Sequence, residues 1–321
     1  MVRHDSGFTW NGKHSYHDFG FTLKERTIGY PDKKKTTYQV PHSNYLRDFS
    51  SIYGFQTFEQ REITYTINVA DVHFDDMHQA NIKEMLLSNW LMGISGQQRL
   101  EDDVFKGFYF MAEVEDGVDF KQVGLAGELK ITFRAYPFKI DDRLEGSDLW
   151  DTFKFDFDVF QNTSASFNVT WSSFNEVPIG SFVHITDWAT DFSGTGGEIS
   201  PMLMGQSYQV TAVQPAVNSA STRQYQLFGV NGWVLEQDIV EAQAEVHDMV
   251  LINPGTNAVA PEVIINGKNL TIQDDKGNYF NIVNQPTNSY SFKLYPGENN
   301  LKLYGQKGSY TVDFKFRKEM L

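Results

Sequence analysis

The sequence predicts a mainly β chain, and three observations carry that prediction. Aromatic residues make up 15% of the 321 residues, with 26 Phe and 15 Tyr, and aromatic and β-branched side chains suit a pleated, half-buried surface. Apolar and polar residues alternate with a period of two through many short runs; Ile63, Tyr65, Ile67 and Val69 against Thr64, Thr66 and Asn68 is the clearest. Asn-Gly, Pro-Gly and Lys-Gly steps punctuate those runs as turn signals. The length leaves room for two or three domains.

Residues 1–140 are expected to form a β-sandwich with one helix on one side. FTWNGKHSYHDFGFTLKER reads as two short strands about the Asn11-Gly12 turn. Residues 40–62 follow as a belt rich in Ser, Asn and Asp, too polar to build a core of its own, so it must lie along a surface supplied by something else. A belt that ends in the strand ITYTINV suits a chain that wraps a neighbouring copy of itself. The helix comes next. Asp75 is placed as its N-cap, Met77, Ile82, Met85, Leu86, Leu87 and Trp90 recur at helical spacing, and Gly93 ends it. GFYFMAEVED, GVDFKQVG and ELKITFRAYPF then read as strands.

The remainder reads as one sandwich split in two by an insertion. FKFDFDVF and SFNVTW are strands with no domain of their own, and residues 249–321 are a meander with turns at Gly255, Gly267, Gly277, Gly297 and Gly308. Residues 141–175 and 244–321 together make a sandwich of usual size. Residues 176–243 are then a small β-barrel inserted at a loop tip, which costs little because loop-closure entropy grows only logarithmically. Val183, Ile185, Tyr208, Val210, Tyr225, Leu227, Trp233 and Val234 compete for its core.

Composition narrows function. A formal net charge of −14 argues against binding the outside of nucleic acid, which needs clustered Lys and Arg; Lys33-Lys34-Lys35 reads as an exposed turn. There is no cysteine, hence no disulfide and no thiolate chemistry. The N-terminal residues lack the apolar core of a signal peptide and no apolar run approaches ~20 residues, so a soluble product with no membrane contact is expected. No motif supplies a nucleophile with an oriented base, a phosphate loop or a zinc site, so neither catalysis nor a cofactor or metal is expected. His14 and His17 sit in a turn, and His73 and His78 flank the helix start out of register for one face. Asp102-Asp103, Asp141-Asp142 and Asp274-Asp275 read as turn residues.

Pro31, Val40-Pro41, Asp48-Phe49, Tyr53-Gly54 and Arg61 leading into residues 63–69 together resemble the N-terminal domain of the distal tail protein of long-tailed bacteriophages. One departure is His42-Ser43, where the family usually has Gly after the Pro. INPGTNAVAPEVIINGKNLTI, YPGENNLKLYG and TVDFKFRKEML resemble the galectin-like, jelly-roll-like sandwich that many such proteins carry. The insert, with HIT, Ala189-Thr190, Gly196-Gly197, Gly205-x-x-Tyr208-x-Val210, Gly232-Trp233-Val234 and Asp238-Ile239, looks like a bacterial Src-homology-three-like barrel of the cell-wall type. The resemblance implies a virion protein at the tail tip: a homohexameric ring, singly or in stacked pairs, that joins the tail tube to the adsorption device. It implies contacts to the major tail protein and to a tail-associated fibre or lysin protein, and DNA passing through the ring without sequence-specific binding. The inter-subunit belt would comprise Pro31, Val40, Pro41, Asn44, Tyr45 and Phe49.

A second function is carbohydrate binding to host cell-wall polysaccharide. Sugar sites pair an exposed aromatic face with planar polar side chains, and Trp188 and Phe192 fall in a long loop of the insert, where they are the glycan-contact candidates; plugging one end of the barrel is the competing role. The insert holds one basic residue, Arg223, against Glu176, Asp187, Asp191, Glu198, Glu236, Asp238 and Glu241. A polyanion would be repelled, so a neutral or cationic polysaccharide is favoured.

Overall fold

The computed structural model describes residues 6–52, 55–68, 77–115, 119–123, 126–147, 153–154, 159–160, 162–216, 221–282, 287–288 and 291–321. Tyr53-Gly54, Val69, His73, Asp75 and Tyr290 lie outside them. The chain is mainly β and divides into two compact units: residues 1–143 with 318–321, and residues 144–317.

The first unit contains β1 (Phe8–Trp10), β2 (Lys13–His14), β3 (Thr22–Ile28), β4 (Thr37–Gln39), β5 (Leu46–Asp48), β6 (Arg61–Asn68), α1 (Met77–Met92), β7 (Gln98–Asp102), β8 (Phe108–Val114), β9 (Asp119–Val123), β10 (Ala126–Ala135) and β11 (Lys139–Asp141). Its main sheet is antiparallel in the order β2-β1-β7-β8-β10-β6-β3, with β9 on β10 and β11 on β8. β1 and β6 are far apart along that path, yet the Phe8 and Tyr65 rings stack with centroids 4.3 Å apart. The sheet therefore curls over itself and encloses a core of Phe8, Trp10, Ile63, Tyr65, Ile67, Leu100, Phe110, Ile131 and Phe133. The expected Asn11-Gly12 hairpin forms with φ of 48° and 73°, the paired positive values that a type I′ turn needs.

Helix α1 closes one side. Leu87, Trp90 and Leu91 enter the core, and the Trp90 indole N–H donates to the Trp10 carbonyl at 2.9 Å. Met85 and Leu86, which share the helical spacing, are instead exposed, because the face that meets the sheet is the one through 87, 90 and 91. Gly93 ends the helix by donating to the Asn89 carbonyl at 3.1 Å, where a Cβ would approach that oxygen to 2.4 Å. Beneath the sheet, Asp102 accepts from the Tyr65 hydroxyl at 2.7 Å and pairs with the Arg26 guanidinium at 2.7 Å. Burial and the neighbouring carboxylate hold the Tyr65 phenol well above its ordinary pKa.

The final strand corrects an expectation. Sequence patterning assigns residues 244–321 to the second sandwich, but Glu319–Met320 returns to the first unit and pairs with β11, Lys139 opposite Met320 and Ile140 opposite Glu319. Side chains fix that register: the Tyr136 hydroxyl donates to Glu319 at 2.9 Å, and Lys318 pairs with buried Asp141 at 3.2 Å.

The second unit opens with β12 (Phe153–Lys154) paired to β13 (Val159–Phe160), followed by β14 (Ser164–Val169). A four-stranded sheet comes next: β15 (Phe182–His184), β16 (Ser207–Pro215), β17 (Arg223–Leu227) and β18 (Trp233–Leu235). The chain then makes β19 (His247–Asn253), β20 (Glu262–Asn266), β21 (Leu270–Gln273), β22 (Tyr279–Ile282), β23 (Thr287–Asn288), β24 (Gly297–Gly305) and β25 (Gly308–Lys315). Two four-stranded antiparallel sheets, β14-β25-β20-β23 and β19-β24-β21-β22, share one core through Val263, Ile265, Val312 and Phe314 on one side and Leu251, Leu270, Ile272, Leu301 and Leu303 on the other. The sheet β15-β16-β17-β18 is interposed in sequence between β14 and β19 and has its own core, with Val183, Ile185, Val210, Tyr225, Leu227 and Val234 buried. Tyr208 packs on that core half-buried, and Trp233 is also half-buried.

Candidate assembly surface and inserted sheet

Between β3 and β6 the chain leaves the main sheet and pairs with itself. Gly29 N donates to the Glu62 carbonyl at 3.0 Å, Glu59 N to Asp32 O at 2.8 Å and Lys34 N to Thr57 O at 2.9 Å. Farther out, β4 and β5 pair Thr37 with Asp48, Tyr38 with Arg47 and Gln39 with Leu46. The belt is thus a two-stranded arm and not the irregular segment its composition suggests; about a dozen residues lie between root and tip, a reach of up to roughly 40 Å.

At the tip, Ser43 N donates to the Val40 carbonyl at 3.1 Å and His42 has φ of 59°. Pro41 fixes the preceding φ near −65°, so the turn has the negative-then-positive pattern of type II, which ordinarily places Gly or Asn where His42 stands. His42, standing where the resembling family usually has Gly, is therefore held in a strained left-handed conformation.

Alternation along the arm sorts its side chains. Tyr38 on β4 and Val40 just past it share one face with Arg47 on β5 and its flanking residues Tyr45 and Phe49, and Gln39, Leu46 and Asp48 take the other. Tyr38, Tyr45, Leu46 and Phe49 are all exposed, Tyr45 at 67%, and Tyr30 near the root stands at 86%. Of the expected belt residues, Pro41 and Asn44 are also exposed and Val40 is half-buried. Pro31 is buried, so it fastens the root and offers no surface to a neighbour. An isolated two-stranded ribbon is marginal in water, and this one carries an aromatic face that is exposed among the described residues.

The glycan candidates are placed differently from the expectation. Trp188 is only 8% exposed. Its ring packs with Val240 and Tyr304, against Trp171, Val246 and Tyr279, and its indole N–H donates to the Gln237 carbonyl at 3.2 Å. The loop that holds it lies against β22 and β24, where Asn281 donates to Asp187 at 2.5 Å and the His184 ring sits 4.2 Å from that of Tyr279. Trp188 thus cements the inserted sheet to the sandwich and has no free face for a sugar. Phe192 is half-buried on the inserted core and lies on Gly232, where an added Cβ would come within 2.5 Å of the ring. A side chain in this loop can pack inward on a second sheet as well as outward on solvent, and loop position alone does not distinguish the two.

Polar groups in the insert are tied into structure. Buried Glu236 accepts from Thr222 N at 2.7 Å and Arg223 N at 2.5 Å and pairs with the Arg223 guanidinium at 3.4 Å. Burial pushes Asp187 up to about 6 and Asp238 to about 7, the latter aided by Asp191. Nearby, Glu245 is held down to about 2 by Thr170 and Ser172, each donating from its backbone and its hydroxyl. The three Asp doublets behave as turn residues: Asp102, Asp141 and Asp274 each accept a backbone N–H two residues ahead. Among the described residues no group of three or more His, Cys, Asp or Glu could hold a metal ion, and no helix is long and apolar enough to cross a membrane.

No protein-family model matches this chain, and no curated protein does. Among solved structures, the chain is similar to the Dit protein of phage SPP1, described as a paradigm of the hub adsorption apparatus in Gram-positive infecting phages. The two are 8% identical, the overlap covers 98% of this chain and 99% of that one, and the TM-score is 0.48.

Proposed function

We propose that the protein is a structural building block of a phage tail tip, assembling with copies of itself into a closed hexameric hub between the tail tube and the adsorption device. The observation that carries the self-assembly is the arm: a paired ribbon whose Tyr38, Tyr45 and Phe49 face is exposed among the described residues. Together with Tyr30, Leu46 and Ile52, those side chains expose on the order of 700 Å², close to the ~800 Å² that each partner buries in a standard interface. An arm received by a different surface of the next copy is a head-to-tail contact, and such contacts make a ring when the rotation between copies closes.

The tail-tip assignment is supported by the sequence resemblance in the belt and the strand after it. A net charge of −14 suits a channel through which DNA slides without sticking. On this reading the major tail protein and a tail-associated fibre or lysin protein occupy the two faces of the ring. The test is multi-angle light scattering with negative-stain imaging of the purified full chain. Six-fold annuli, single or stacked, are expected; a strictly monomeric species at tens of micromolar overturns the proposal.

A further inference from the structure

The inserted sheet carries a second uncovered aromatic feature, on its outer face. In the register of β15 and β16, Phe182 stands opposite Gln209 while Val183 beside it points into the core. On the other flank Val210 pairs with Leu227, and Phe228 N donates to the Gln209 carbonyl at 2.8 Å, which places Phe228 opposite Gln209 as well. Val183, Val210 and Leu227 are buried, so the three neighbours Phe182, Gln209 and Phe228 all project outward. Phe182 is 65% exposed and Phe228 72%. Two rings two strands apart are separated by roughly 10 Å, about the rise of two pyranose units in an extended chain. Between them the Gln209 amide donates to the Gly180 carbonyl at 3.1 Å, which holds the planar group in place and leaves its oxygen to accept.

We propose that this Phe182–Gln209–Phe228 row is a binding platform for a neutral polysaccharide chain. Size and charge select that occupant. The two rings expose roughly 250 Å², far below the ~800 Å² per partner of a stable protein interface, whereas a linear glycan needs only a narrow track of stacking faces. The strand residues and turns around the row, from Ile179 to Phe182, Gln209 to Thr211 and Phe228 to Gly229, contain no charged side chain. The insert's one basic residue, Arg223, is already paired with Glu236 and Glu176. A polyanion would find no unpaired cation among the insert's described residues. The row does not depend on ring assembly, since it lies wholly within one chain.

The test is affinity electrophoresis of the full chain through gels containing soluble neutral polysaccharides (a β-glucan, a galactomannan, a dextran and phosphate-stripped bacterial wall glycan), with alginate as the anionic comparison. Retardation by at least one neutral polymer and none by alginate is expected. Phe182→Ala and Phe228→Ala should each weaken it about fivefold to tenfold, and the double variant should abolish it. Met202→Ala, which removes another exposed apolar side chain, should leave it unchanged. Circular dichroism melting checks that the variants are folded, as expected for outward-facing residues. No retardation in any neutral polymer, equal retardation of wild type and the folded double variant, or a change of oligomeric state in the double variant each overturns the proposal; the last would make the row a contact between copies.

Discussion

Replacing Trp188 by Ala separates a cementing residue from an exposed sugar platform. At 8% exposure nearly the whole ring is removed from water, roughly 200 Å², and at ~25 cal/mol per Å² that is about 5 kcal/mol. Large-to-small aromatic changes in cores cost about 3–5 kcal/mol, which includes partial collapse of the cavity. The lost donor to the Gln237 carbonyl adds about 1 kcal/mol. A total of about 5 kcal/mol, at roughly 2–4 °C per kcal/mol for a unit of this size, lowers the melting temperature by about 10–20 °C. Because the ring lies between the inserted sheet and β22 and β24, the first transition should be loss of the insert's attachment. Differential scanning calorimetry of the full chain measures this, and Trp188→Phe, which keeps the apolar body without the N–H, should recover more than half of the loss. A melting temperature within 2 °C of wild type would refute the packing argument and return Trp188 to the surface.

Three further outcomes are expected. The triple change Tyr38→Ser, Tyr45→Ser, Phe49→Ser deletes the arm's aromatic face; with about half of its exposed area counted as buried on assembly, the subunit contact weakens by at least about a thousandfold, ~4 kcal/mol, while melting of the dilute chain hardly moves, as sedimentation velocity and calorimetry would reveal. Glu236→Ala strands the Thr222 and Arg223 backbone N–H groups and leaves the Arg223 guanidinium with Glu176 at 3.7 Å, at a cost of about 2–4 kcal/mol in urea unfolding; Glu236→Gln, which keeps an acceptor, should cost distinctly less. Asp238 titrates near 7 when folded against an ordinary 3.8, so its contribution is full below pH 4 and is lost as pH rises through 7; Asp238→Asn should be increasingly stabilising from pH 5 to 8, by up to ~3–4 kcal/mol. A pH-independent difference between that variant and wild type would contradict the burial argument.

What the sequence made legible follows from the range over which each signal acts. The Asn11-Gly12 hairpin, the burial of Ile63, Tyr65 and Ile67, and the helix end at Gly93 depend on residues within a few positions of one another, and each forms as expected. The pairing of Glu319–Met320 with Lys139–Ile140 joins two short β segments from the middle and the end of the chain, and no local period marks it. The two roles open to Trp188, glycan contact or inward plug, cannot be separated locally for a related reason: its packing partners Tyr279 and Tyr304 come from β22 and β24, about ninety or more residues later. Phe182 and Phe228 carry no local signal, since each sits singly beside a core residue and only the strand register brings them to either side of Gln209. Composition did identify residues 40–62 as lacking a core, but it could not show that the segment would pair with itself.

That self-pairing changes the energetics of the proposed assembly. A belt disordered in the free chain would have to be ordered on contact, losing about 1–2 kcal/mol per residue of backbone freedom. The arm has already formed much of its hydrogen bonding: its root is clamped by Gly29, Asp32 and Lys34, and its tip by the Pro41-His42 turn. What remains is to cover the aromatic face, so most of the surface removed from water contributes to association. The strain held at His42 bears on this directly. Glycine adopts that φ without steric cost, so His42→Gly should relax the tip; if the preformed turn matters, its gain should appear as tighter assembly, with the melting of the two units unchanged. Weaker assembly in that variant would mean that the His42 side chain itself meets the neighbouring copy, and that the contact extends beyond the aromatic face to the end of the arm.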